Sequence, residues 1–151
     1  MVGKPLQIAN MQPRRPNDFL QDVVTPLVHE HGQLTGDTTV KLYKVPAGRN
    51  FRLDRATYVN PTGLAADANN YFDIKVRVKS TTVAAHWSTQ TTGGSPGGQG
   101  ALVADTWVDL VHSATDLDMV AEGGDEISVF YDETGTATLS PGRLVLEGRF
   151  V

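Results

Sequence analysis

A chain of 151 residues is the length of one domain and can bury a sizeable core. It contains no cysteine, which excludes disulfides and thiolate metal sites, and no run approaches the roughly 18 apolar residues of a membrane span. The net charge of −4 is unevenly spread: from Ser80 to Gly142 there is no Lys or Arg but nine acidic residues, a surface that repels nucleic acid.

The opening, MVGKPLQIANMQPRRP, lacks the apolar centre of a secretory leader, so the product is expected to be soluble and to stay where it is made. Pro5, Pro13 and Pro16 remove backbone donors and fix φ, which predicts an extended arm over residues 1–21 rather than a helix or a central strand. Lys4, Arg14 and Arg15 against Asp18 make residues 1–19 net +2. Such an arm gains order by lying on another surface, which makes Arg14, Arg15 and Phe19 the candidate contacts with a neighbouring subunit.

From Asp22 the pattern changes to short apolar alternations, and residues 22–151 read as one domain. TVKLYKV sets Val40 and Leu42 on one face, PAGRN (46–50) is a turn, and FRL opens a strand with Phe51 and Leu53 together. NPTGLAADANN (60–70) is a long loop of turn formers. In YFDIKVRVK (71–79), Phe72, Ile74, Val76 and Val78 alternate with Asp73, Lys75, Arg77 and Lys79, giving one core face and one charged, solvated face. VAAHW follows with Val83, Ala85 and Trp87 in register, then the Gly-rich loop 91–100. TWVDLVH, DLDMV, EISVFY and RLVLEGRF are further candidate strands, the last with Leu144, Leu146 and Phe150 on one face. Eight to ten short strands, no helical periodicity and turns in nearly every gap predict an all-β fold, an antiparallel β-sandwich with the N-terminal arm outside it.

Candidate chemistry is sparse. In a strand, His29 and His31 of HEH share a face and could hold a metal, and with Pro46-Ala-Gly48 downstream the pair resembles the two short motifs of cupins. The cupin pattern also wants a glutamate soon after the second His and a third His after the Pro-x-Gly turn. Here GQLTGDTT and Phe51 stand in those places, so no metal is expected and the two histidines read as surface or loop residues. Asp67-x-Asn69 and the carboxylates Asp116, Asp118, Glu122, Asp125 and Glu126 suggest calcium, but the loop glycine and terminal glutamate of a calcium loop are missing; GGDE reads as a tight turn. No GxSxG elbow, P-loop or cofactor motif occurs, and His86 and His112 stand apart from any nucleophile, so no enzyme is predicted. Trp87 and Trp107 could stack on sugar, but fill a core more often.

Three phrases together carry a likeness: VPAGRNFRLDRATYVNPTGLAADANNYFDIKV, AAHWST, and the stretch from Val103, VADTWVDLVHSATDLDMVAEGGDEISVFYDETGTATLSPGRLVLEGRFV. Over residues 25–151 the chain resembles the jelly-roll capsid cement or decoration proteins of tailed bacteriophages. That resemblance implies a jelly roll, a homotrimer on local threefold positions, the major capsid protein as partner, and a place on the outer surface of the virion after synthesis in the bacterial cytoplasm. It implies no cofactor, no nucleic acid and no membrane. The rival classes are a trimeric tail- or fibre-associated carbohydrate-binding module and a degenerate cupin-like metal enzyme.

Overall fold

The computed structural model describes residues 23–93 and 98–151, with side chains from Pro26 onward. Ten strands run in chain order: β1 (Val23–His31), β2 (Thr38–Lys44), β3 (Phe51–Val59), β4 (Tyr71–Arg77), β5 (Val83–Ser88), β6 (Val108–Asp109), β7 (Val111–His112), β8 (Val120–Ala121), β9 (Glu126–Thr134) and β10 (Gly142–Phe150). One sheet has the order β1-β10-β3-β6, with β8 also pairing to β3; the other has the order β2-β9-β4-β5-β7. Among the described residues every pairing between these strands is antiparallel. The chain changes sheets at each connection except β4 to β5, and its first and last strands lie side by side. The fold is therefore an antiparallel β-sandwich of jelly-roll type. The predicted arm, residues 1–21 with Arg14, Arg15 and Phe19, lies outside the described residues.

Period 2 decides which side chains enter the core. On β4, Phe72, Ile74 and Val76 are fully buried while Asp73, Lys75 and Arg77 face outward, and Val78 just past the strand is buried too. They meet Ile127, Val129 and Tyr131 of β9 on the same sheet, and Phe51, Leu53, Leu144 and Leu146 across the sandwich. Strand β3 departs from strict alternation. Asp54 is skipped where Glu147 pairs with Arg55 and Gly148 with Leu53, so the inward phase shifts from Phe51 and Leu53 to Ala56 and Tyr58. Asp54 then faces Arg52 and Arg149, each at 3.8 Å. Edge strand β1 carries Pro26 inside the register shift between Val24 and Leu27, where a missing ladder donor is tolerated.

Two expectations fail. TWVDLVH is not one strand: it is β6 in one sheet and β7 in the other, with buried Leu110 between them donating its N–H to Ala56. A short apolar run at a sheet crossing feeds both layers in turn, which period alone cannot distinguish from one strand. DLDMV is a 3-10 turn over Asp116–Met119 leading into β8. Its only fully committed apolar residue is Met119, buried against the core, while Leu117 is exposed.

Candidate functional site

The polar groups closest to a site gather where β1 closes over the end of the sandwich. His29 and His31 do share a face of β1, but they point inward, and His31 is only 8 % exposed. The reading of these two as surface or loop histidines is thereby corrected. The aromatic partners are Tyr58 of β3 and Tyr131 of β9, which hold polar groups that a buried imidazole can satisfy.

Hydrogen bonds fix the proton positions. The Gly32 carbonyl, 2.6 Å from His31 Nδ1, can only accept, so Nδ1 carries the hydrogen and Nε2 accepts from the Tyr58 hydroxyl at 2.7 Å. The Tyr58 oxygen in turn accepts from Asn60 Nδ2 at 3.2 Å, and the same amide donates to the Ser140 carbonyl at 2.7 Å. Asn60 Oδ1 accepts from the N–H groups of Thr62 and Gly63, which shapes the loop after β3. His29 Nδ1 lies 3.0 Å from the Tyr131 hydroxyl. The relay joins β1, β3, β9, the NPTG loop and the turn before β10.

The electrostatics follow from burial. Loss of solvent pushes His31 below the ordinary imidazole value; the Gly32 carbonyl opposes this and His29 adds to it. Burial lowers His29 as well. Burial pushes the Tyr58 phenol up to about 12 despite the Asn60 bond, and raises Tyr131 too, with Tyr58 adding to the effect. Both imidazoles are thus neutral hydrogen-bonding groups of the fold. Beside them opens a cleft of about 400 Å³ whose lining includes Glu30, His31, Asp105 and Arg143. Glu30 and Arg143 close on each other as an ion pair across it.

The other sequence candidates do not converge. Asp67 Oδ1 accepts from the N–H groups of Asn69 and Asn70, bonds that lower its pKa and shape its own turn. Asp116 pairs with Arg52 at 3.3 Å, Asp118 accepts from the Ser113 hydroxyl at 2.5 Å, Asp125 accepts from the Glu122 N–H at 2.8 Å, and Glu126 meets Lys41 at 3.0 Å. Gly124 with φ 93° makes GGDE the expected tight turn. Among the described residues no three His, Asp or Glu side chains are grouped so that they could hold a metal ion. His86 faces outward toward Gln99 at 3.4 Å, and His112 is exposed on β7.

The charged face of β4 makes its contacts within its own sheet. Lys75 Nζ sits 2.6 Å from Asp132 and 3.8 Å from Asp73, and the Arg77 guanidinium lies 4.3 Å over the Phe130 ring. The two tryptophans divide: Trp87 packs against the core and donates to the Gly100 carbonyl at 3.3 Å, while Trp107 is 50 % exposed. Reasoning from sequence missed Tyr58 and Tyr131. Tyr131 was within reach, because it continues the Ile127, Val129 alternation; Tyr58 was hidden by the phase shift at Asp54. Set against protein families, curated proteins and solved structures, the chain matches none of them.

Proposed function

We propose that this chain is a structural virion protein. It decorates the outside of an icosahedral phage capsid as a homotrimer and cements neighbouring major capsid protein subunits. What supports the reading is where the phage-like phrases fall. VPAG is the turn from β2 to β3, closed by Arg49 N–H on the Pro46 carbonyl with Gly48 at φ 78°. NPTG is the loop that Asn60 caps, EGGDEISV is the turn into β9, and SPGRLVLEG opens β10, which pairs with both β1 and β3. The likeness thus lies in the frame of the sandwich. The histidine and tyrosine side chains, the richest chemistry among the described residues, are used to close that frame. A rigid, small jelly roll with its reactive groups turned inward suits a clamp on a shell.

Cryo-electron microscopy of virions produced with and without this chain tests the reading. Protrusions on the capsid surface that vanish with the chain, together with earlier release of DNA on heating, are expected. Identical maps and identical heat resistance would rule the role out.

A further inference from the structure

We propose that copies of this chain meet through the outer face of the β1-β10-β3-β6 sheet, with the β1 edge of one copy against the β6 edge of the next. The register sets up the surface. Val28 pairs with Val145, Val145 with Thr57, and Thr57 with Asp109, so one level of the sheet forms a row across four strands. Val28 is 57 % exposed at the β1 end; the β6 end of the row is Asp109, and Trp107, 50 % exposed, stands two residues away along the chain, level with Val59 and Arg143. Trp107 leans inward to line, with Arg55, Thr57 and Val145, a dent of about 310 Å³. A half-exposed tryptophan beside an arginine and a valine, with an open dent between them, is the composition of an interface centre.

The rim says what covers it. On one side of the apolar row lie Glu30 and Arg143, paired with each other; on the other side lie Glu147 and Arg55, directly opposite across β10 and β3, with Arg55 Nε 2.9 Å from Asp109. Each flank carries both signs, so the face is complementary to itself. A rotation axis parallel to the strands keeps every row level between copies and reverses the strand order where they meet. Val145 of one copy then meets Thr57 of the next, Glu147 comes level with Arg55, and Val28 comes level with Asp109, two residues along the chain from Trp107. Strands of nine residues in a four-strand path give a face of roughly 30 by 20 Å, about 600 Å² per copy, near the lower bound for a stable specific contact.

This inference takes from the proposed function only that the chain assembles with itself; it needs no capsid. Sedimentation velocity of the full-length protein over a concentration series should show an oligomer. Trp107→Glu should disperse it to monomer with unchanged circular dichroism, while Val111→Glu, at an exposed valine on β7, should leave it assembled. Because the chain has no cysteine, Val28→Cys and Asp109→Cys proteins can be mixed and oxidised, and a disulfide between the two variants, which the register places level, is expected. A monomer throughout, an oligomer that survives Trp107→Glu, or failure of the mixed disulfide to form would overturn the proposal. So would a monomer in which deleting residues 2–17 unmasks Trp107 to oxidation, since the face would then belong to the chain's own terminus. An oligomer dispersed by Trp107→Glu that leaves capsids undecorated would refute the capsid role and keep this contact.

Discussion

His31 is held neutral by what its two nitrogens touch. A proton added at Nε2 would need an acceptor, but the Tyr58 oxygen beside it already accepts from Asn60, and the Tyr58 hydrogen would lose its own partner. The folded-state pKa is therefore below the unfolded value near 6.5, and the unfolded chain binds more protons between the two. Stability contributed by neutral His31 and His29 is present above pH 6.5 and is lost as pH falls through the lowered values. The melting temperature should drop between pH 7 and pH 5, above the range where carboxylates titrate. His31→Leu should flatten that slope and cost about 1–3 kcal/mol at pH 7, where the Tyr58 hydroxyl loses its acceptor. An unchanged slope in the variant would remove His31 as the titrating group. Gly142 belongs to the same cluster. A Cβ there would meet the Tyr58 hydroxyl at 2.2 Å and the Val59 carbonyl at 2.9 Å, and the second neighbour is backbone that cannot swing aside. Gly142→Ala should lower stability by about 1–3 kcal/mol, as overpacking does. A thermal melt superimposable on the parent's would show that the tyrosine yields freely.

Strand β4 tests the element scale, because its two faces make opposite demands. Ile74 is fully buried and paired between Tyr131 and Trp87, so Ile74→Asp places an unpaired carboxylate in the core and should abolish folding, a loss above about 4 kcal/mol. Lys75 sits on the wet face yet is not idle. Asp73 and Asp132 are directly opposite each other, a like-charge pair, and Lys75 bridges them. Lys75→Ala should cost about 1 kcal/mol in urea titrations at low salt, and Asp132→Asn in the same chain should restore most of it. If both single variants of β4 proved equally damaging, the assignment of faces would be wrong. This strand was legible in the sequence because eight residues, Phe72 to Lys79, hold one phase. Strand β3 was half legible: Phe51 and Leu53 followed the period, and the change of phase at Asp54 that moved Tyr58 inward shows in the sequence only as two polar residues in succession, Asp54 and Arg55. Crossings were illegible for a related reason. The short apolar run across β6 and β7 reads as one strand, and only the two separate ladders reveal that the chain has changed layers at Leu110. The histidine cluster was read as a spacing without a direction; His29 and His31 share a face as expected, but which face depended on partners more than 25 residues away.

At the scale of the whole molecule, the described residues build a continuous core across both sheets. Among them the buried cluster runs from Val45 to Leu146, and the earliest side chain packed against it is Leu27. Removing residues 2–17 should accordingly leave the β-sheet circular dichroism and the cooperative melt intact. The deleted stretch carries Lys4, Arg14 and Arg15, whereas the described surface after Ser80 offers exposed carboxylates such as Asp105 and Glu122 and no positive residue before Arg143. A basic segment of one copy and an acidic surface of another attract over about a Debye length, near 10 Å at 0.1 M salt, so their contact weakens as salt rises. Under the capsid reading, the truncated chain should bind capsids less tightly than the full chain at low salt. The two should converge at high salt, where the charge term is screened and only contacts of the sandwich remain. Full-length binding that ignores salt, or a truncated chain that decorates as tightly at every salt concentration, would make the arm a bystander and leave attachment to the sandwich alone.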